Sequence, residues 1–160
     1  MPAHVARAAT WVVDANVIVP FALPEARSAE VRTVFDAASD GTARLIAPSF
    51  WRIECGNVVW KYVHRRLLDA GAARAAFDLL YALPIVSVDT EMLMDVALDV
   101  AIACDLTMYD SLYIAAALFA DAPLVTMDGA LVELVRELEV EVLPVSAFTQ
   151  SRGVAQGAAV

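Results

Sequence analysis

Five short apolar runs, rich in β-branched residues and separated by helix-like stretches, narrow the possible folds more than any other feature of this chain. They are TWVV (10–13), RLIA (44–47), IVSV (85–88), LVTM (124–127) and VEVL (140–143). Helices are predicted between and around them, over 16–23, 28–39, 49–68, 71–82, 90–103, 108–120 and 129–138. Ser28 stands where it can cap the second helix, Pro48 and Ser49 open the third, and Gly41, Gly71 and Pro84 mark ends. Strands separated by helices predict an α/β fold of three layers, α/β/α, with a central parallel sheet of about five strands. The run WVV lacks the polar alternation of a half-exposed strand, as expected of one covered on both faces.

The length of 160 residues suits one domain. Residues 1–148 are read as that domain. Residues 149–160, TQSRGVAQGAAV, are small and polar and are read as a disordered tail. The chain is 60% hydrophobic with a mean hydropathy of +0.62. That assures a core and leaves apolar surface for a partner to cover. No apolar run approaches the ~20 residues of a membrane helix. Asp14 interrupts the stretch VVDANVIVPFALPEA, and no basic region directly precedes it, so it does not read as an export signal. Cys55 and Cys104 lack CxxC spacing and are read as buried reduced thiols. A cytoplasmic location without membrane association is the expectation.

Net charge is −9, from twenty acids and eleven bases. A protein that simply coats nucleic acid would be basic. The charge is uneven, however. Six bases fall between Arg44 and Arg74, whereas 75–135 holds ten acids and no Lys or Arg. One part of the chain can meet a polyanion and another can hold cations.

Four acids stand out. Asp14 and Asp128 each follow a predicted strand, and ligands of parallel α/β folds bind outside the carboxyl ends of strands. Glu54 and Asp110 each lie near the start of a helix, and the helix after Asp110 is apolar all round, hence buried. Each acid also has a local explanation. Asp14 and Asp128 can cap the helices that follow, Asp110 has capping spacing from Thr107, and Glu54 can be a solvated helix residue. Asp89, which also follows a strand, is read as a cap only. Taken together, converging carboxylates would repel one another and raise their own pKa values. A hard divalent cation, Mg²⁺ or Mn²⁺, removes that penalty with oxygen ligands. Such a pocket suits phosphodiester hydrolysis, in which the metal generates hydroxide and neutralises charge on phosphate.

The order Asp14, Glu54, Asp110, Asp128 resembles the acidic quartet of the PIN domain family, and most closely its small VapC-type toxins. The motifs that carry the likeness are VVDANV, YDSLYIAAA and PLVTMD, and 106–128 is the most specific stretch. The resemblance implies a metal-dependent ribonuclease acting on single-stranded or loop RNA, a cognate antitoxin that occupies the active-site groove, and a homodimer. It departs at Ala15, where a hydroxyl residue is common, and at Gly129, where a polar or basic residue is.

On this reading Asp14, Glu54, Asp110 and Asp128 hold one or two Mg²⁺ (or Mn²⁺) ions. Asn16 either bonds a metal water or phosphate, or is a first-turn helix residue. Thr126 either orients a carboxylate or merely suits a strand. Lys61, Arg65 and Arg66 share much of one helix face; with Arg52 they either grip RNA phosphates or form a solvated helix end. Trp51, Trp60 and Tyr62 either stack on bases or pack, and Tyr113 and Phe119 are read as core. Two other functions stay open. One is a PIN-like interaction scaffold without nuclease activity. The other is a phospho-accepting receiver domain, which would need a lysine at a late strand end, where this chain has only Lys61.

Overall fold

The computed structural model describes residues 8–23, 28–135 and 138–150. Five strands form one all-parallel sheet flanked by helices: β1 (Ala9–Val13), β2 (Ala43–Pro48), β3 (Ile85–Val88), β4 (Leu124–Thr126) and β5 (Val142–Pro144). Their spatial order is β3-β2-β1-β4-β5. The chain therefore winds outward from β1 to β3, then crosses back to place β4 on the other side of β1. The crevice between β1 and β4 is the topological switch point, where ligands of such sheets bind.

The helices are α1 (Ala15–Ile18), α2 (Ser28–Ser39), α3 (Trp51–His64), α4 (Ala70–Tyr81), α5 (Met94–Cys104), α6 (Met108–Ala120) and α7 (Gly129–Leu134), with 3₁₀ turns at Val19–Phe21 and Thr90–Leu93. Helix α6 carries the apolar sequence predicted to be interior. Residues 111–117 are all buried, and the helix packs on β1, β2, β4 and α5. Its far end emerges, so Phe119 is exposed rather than core, whereas Tyr113 is buried. Trp51 is also buried, Trp60 is exposed and Tyr62 is partly buried. Cys55 is buried and Cys104 only partly so. Among the described residues no helix is long and apolar enough to cross a membrane.

The end of α3 differs from the expectation for a backbone reason, whereas α6 spans the expected 108–120. Helix α3 ends at His64, not 68, because Arg66 turns left-handed at φ 58°. There Leu67 N–H donates to Tyr62 O at 2.8 Å and Arg66 N–H to Val63 O at 2.9 Å, a Schellman closure. Asp105 (φ 54°) and Asp121 (φ 46°) end α5 and α6 in the same left-handed conformation. Such closures usually take glycine, and the one at Arg66, without it, is the one the sequence does not signal. Strand β5 lies two residues later than predicted. Its register is set by pairing, Leu124 with Val142 and Thr126 with Pro144, and proline is tolerated on this edge strand. Residues 145–150 are helical, which covers the first two residues of the expected tail; 151–160 lie outside the described residues.

Candidate active site

Because the strands are parallel, the segments that leave them all emerge at the carboxyl edge of the sheet, and the first turn of α6 also lies there. Asp14 follows β1 directly and Asp128 follows β4. Helix α3 leaves the end of β2 and carries Glu54 in its first turn, while α6 returns toward β4 and carries Asp110 in its first turn. Residues far apart in sequence are thereby delivered to one edge. Asp14, Glu54 and Asp110 line a single open cleft of about 760 Å³. Asp128 stands outside its lining but close enough for its charge to act on Asp14.

Asp14 is the centre of a hydrogen-bond network that ties β1 to β4. Its Oδ2 accepts from Thr126 Oγ1 (2.8 Å) and from Asn16 Nδ2 (2.8 Å), and its Oδ1 accepts from Asn16 N (3.2 Å). Thr126 Oγ1 in turn accepts from Asn16 Nδ2 (3.0 Å) and from Asp128 N (3.0 Å). One hydroxyl thus spends its proton on Asp14 and both acceptor sites on its neighbours. Asn16 Oδ1 accepts from Met127 N at 2.9 Å, which fixes the orientation of its amide. Asn16 and Thr126, each left open by the sequence, are therefore positioning residues for Asp14. Replacing Thr126 with valine is expected to cost about 1–3 kcal/mol, the range for buried polar groups left unpaired. Urea unfolding measures it, and Thr126→Ser should retain most of the stability.

The local explanations hold as well for Asp14, Asp110 and Asp128, but not for Glu54, which is half-buried and bonded to Tyr113 rather than solvated. Asp14 accepts from Asn16 N as the cap of α1. Asp128 caps α7 by accepting from Ala130 N (2.9 Å) and Leu131 N (3.2 Å) at Oδ1. Asp110 Oδ2 accepts from Thr107 Oγ1 at 2.7 Å while Asp110 N donates back at 3.2 Å. Asp89 caps the turn after β3 by accepting from Glu91 N. Capping and convergence are not exclusive here. A cap fixes one oxygen of the carboxylate and sets the direction of the other.

Electrostatics sets Asp14 and Glu54 apart from ordinary caps. Burial pushes the Asp14 carboxyl from its usual 3.8 up to about 6. Bonds from Thr126 and Asn16 work against this, and the charges of Asp110 and Asp128 add to it. Burial likewise raises Glu54 from 4.5 to about 7, against the bond from Tyr113 and with the help of Asp14 and Asp110. The Cys55 thiol, buried beside them, rises to about 12 by burial first and then by the charges of Glu54 and Asp14. Neighbouring carboxylate charge thus adds to the burial cost of ionising Asp14 and Glu54. The positive N-terminal ends of α3 and α6 offset part of that cost.

Tyr113, expected from the sequence to be core alone, also reaches a cleft acid. It is buried, and its Oη donates to Glu54 Oε2 at 2.6 Å. Two signals were available: it sits at i+3 from Asp110 on one helix, and a buried phenol needs a hydrogen-bond partner.

Of the predicted bases, Lys61 lines the cleft. Arg65 and Arg66 are exposed beyond the end of α3 and do not line it. Arg52 points elsewhere. Its guanidinium lies between the rings of Trp51 and Tyr81, 4.7 Å from each centroid, and donates to Ser87 Oγ at 2.9 Å. It belongs to the packing of α3 on α4 and β3. His64 stacks on Trp60, ring centroids 5.2 Å apart.

The PIN domain profile matches residues 11–137, which include all four acids. The chain belongs to the PIN domain family. PIN domains are typically metal-dependent nucleases. Solved structures similar to this PIN domain include PAE2754 from Pyrobaculum aerophilum, at 22% identity and a TM-score of 0.63, covering 91% of this chain and 92% of that one. VapBC2 from Rickettsia felis, bound to a DNA fragment from their promoter, matches at 13% identity and a TM-score of 0.60, over 84% and 98% of the two chains. FitAcB from Neisseria gonorrhoeae matches at 16% identity and a TM-score of 0.58, over 84% and 97%. At these identities the likeness is one of fold. No curated protein matches the chain.

The donors in this PIN domain's cleft are carboxylate and amide oxygens, which suit a hard divalent ion. Among the described residues no three Asp, Glu, His or Cys side chains stand close enough to share one ion directly. Mg²⁺ requires only one or two carboxylates, with water in its remaining positions.

Proposed function

We propose that this PIN domain is a metal-dependent endoribonuclease of the toxin–antitoxin type, hydrolysing phosphodiester bonds in RNA. The observation that carries this reading is the convergence of Asp14, Glu54 and Asp110 on one cleft at the switch point, with burial and mutual repulsion raising two of them. A hydrophobic core gains nothing from such an arrangement, and a divalent cation relieves it.

Asp14 and Asp110 would ligate Mg²⁺ (or Mn²⁺) directly, with Glu54 and Asp128 completing the site through water. The bound ion would supply Lewis acidity toward the phosphate and acidify a water. The chain's own contribution is placement. Thr126 and Asn16 hold the Asp14 carboxylate, Tyr113 holds that of Glu54, and the Thr107 cap holds that of Asp110. Glu54, raised to about 7, is the carboxylate best matched to take a proton near neutral pH. Lys61 faces the phosphate backbone from the α3 wall.

The acidic cleft also suits an Arg- or Lys-bearing segment of a cognate antitoxin. The exposed apolar side chains of α5, among them Met94, Leu98 and Ile102, give a homodimer or antitoxin apolar surface to cover.

The purified protein is expected to cut single-stranded RNA with Mg²⁺ or Mn²⁺ and to leave it intact with a chelator, as read on a denaturing gel. Cleavage that persists in chelator would oppose the proposal. Absence of both cleavage and Mn²⁺-dependent stabilisation would leave the interaction-scaffold reading in its place.

A further inference from the structure

The cleft also carries an aromatic residue that the fold leaves uncovered. Tyr109 is 63% exposed, yet it lines the cleft with Asp14, Glu54 and Asp110. Core packing does not explain a ring this exposed, because little of its surface leaves water.

The ring is nevertheless braced. It leans on Phe50, with centroids 5.7 Å apart at 53°. Phe50 packs edge-on against Tyr113 at 5.5 Å, and Tyr113 is buried and bonded to Glu54. A ladder of three rings thus runs from the interior to the lip of the cleft. The backbone is fixed too, since Tyr109 lies between Thr107 and Asp110, which bond each other. Adjacent Cα atoms are about 3.8 Å apart, so the phenol leaves the chain one residue from a candidate site carboxylate. Among the described residues, Lys61 is the one Lys or Arg in the cleft lining.

Building on the ribonuclease reading, we propose that Tyr109 is a nucleobase platform. A base next to the phosphate held at the acids stacks on the exposed face of the Tyr109 ring, while Lys61 meets the backbone. Splayed bases of unpaired RNA are recognised by stacking on aromatic side chains. Such stacking tolerates any base, since each has a π face. Tyr109 therefore governs how tightly the strand is held and which nucleotide sits beside the acids, and takes no part in the chemistry.

The test uses hexa-adenylate RNA carrying 2-aminopurine at one position at a time, with Ca²⁺ in place of Mg²⁺ and strand integrity checked on a gel. Stacking quenches this fluorophore. The wild type and Tyr109→Phe are expected to quench it at one position and to bind alike. Tyr109→Ala and Tyr109→Leu are expected to lose that quench and bind about tenfold more weakly, the scale of one stacked base. Lys61→Ala is expected to weaken binding with the quench pattern retained. Even quenching at every position, or unchanged quench and affinity in both Tyr109→Ala and Tyr109→Leu, would remove the platform and leave the nuclease reading standing. A wild type that neither binds nor cuts RNA would remove both.

Discussion

Asp14→Asn and Asp110→Asn are each expected to lower RNA cleavage by more than about a hundredfold, with the fold preserved. Removing a residue that merely supports a metal ligand costs about 10–100-fold, so removing a ligand's charge should exceed that. Asparagine keeps the size of the side chain and an acceptor oxygen. In Asp14→Asn the bond from Thr126 can persist, because a neutral amide oxygen still accepts. The metal-free variant should stay close to wild-type stability near pH 7, since deleting a buried charge repelled by Asp110 and Asp128 offsets the loss of the cap bond from Asn16 N, which an amide nitrogen cannot accept. Activity therefore falls while stability stays near that of the wild type, which a misfolded variant could not mimic. Cleavage by both variants at wild-type rates would oppose the assignment.

Without divalent ions, the protein is expected to lose stability as pH rises from about 4 to about 7. The Asp14 and Glu54 carboxyls move from 3.8 and 4.5 up to about 6 and about 7. In that window the folded chain still holds protons that the unfolded chain has released. More protons on the native state means that the unfolding free energy falls with pH. Asp14 alone accounts for about 3 kcal/mol at most. Glu54 adds in the same direction, but less than its shift implies because solvent screens it. Mn²⁺ reverses the trend by favouring the charged carboxylates, and at about 100 times its Kd it adds about 2.7 kcal/mol. Urea unfolding across this pH range, with chelator and with Mn²⁺, reads both effects. Stability that rises with pH in chelator would contradict the raised values.

The parallel α/β architecture was legible because it rests on local signals. β-branched runs such as LVTM alternate with helical stretches, and the α6 sequence is apolar on every side. Asp14 and Asp128 could be placed at the carboxyl edge from strand ends alone. What could not be read was lateral order. Nothing local to β1 or β4 says that they are neighbours, yet that adjacency creates the Thr126–Asn16–Asp14 network. The side-chain directions along α3 were equally hidden. Lys61 and Arg52 sit on one helix and looked alike, but Arg52 turns toward Tyr81 and Ser87, residues supplied by other elements. Tyr113 looked like core because it is core, and only its hydroxyl, facing Glu54, gives it a second role.

The most direct measurement is anomalous scattering from crystals soaked in Mn²⁺. A peak in the cleft, within coordination distance of the Asp14 and Asp110 carboxylates, is the predicted result. Saturating Mn²⁺ with no peak in that cleft would contradict the account.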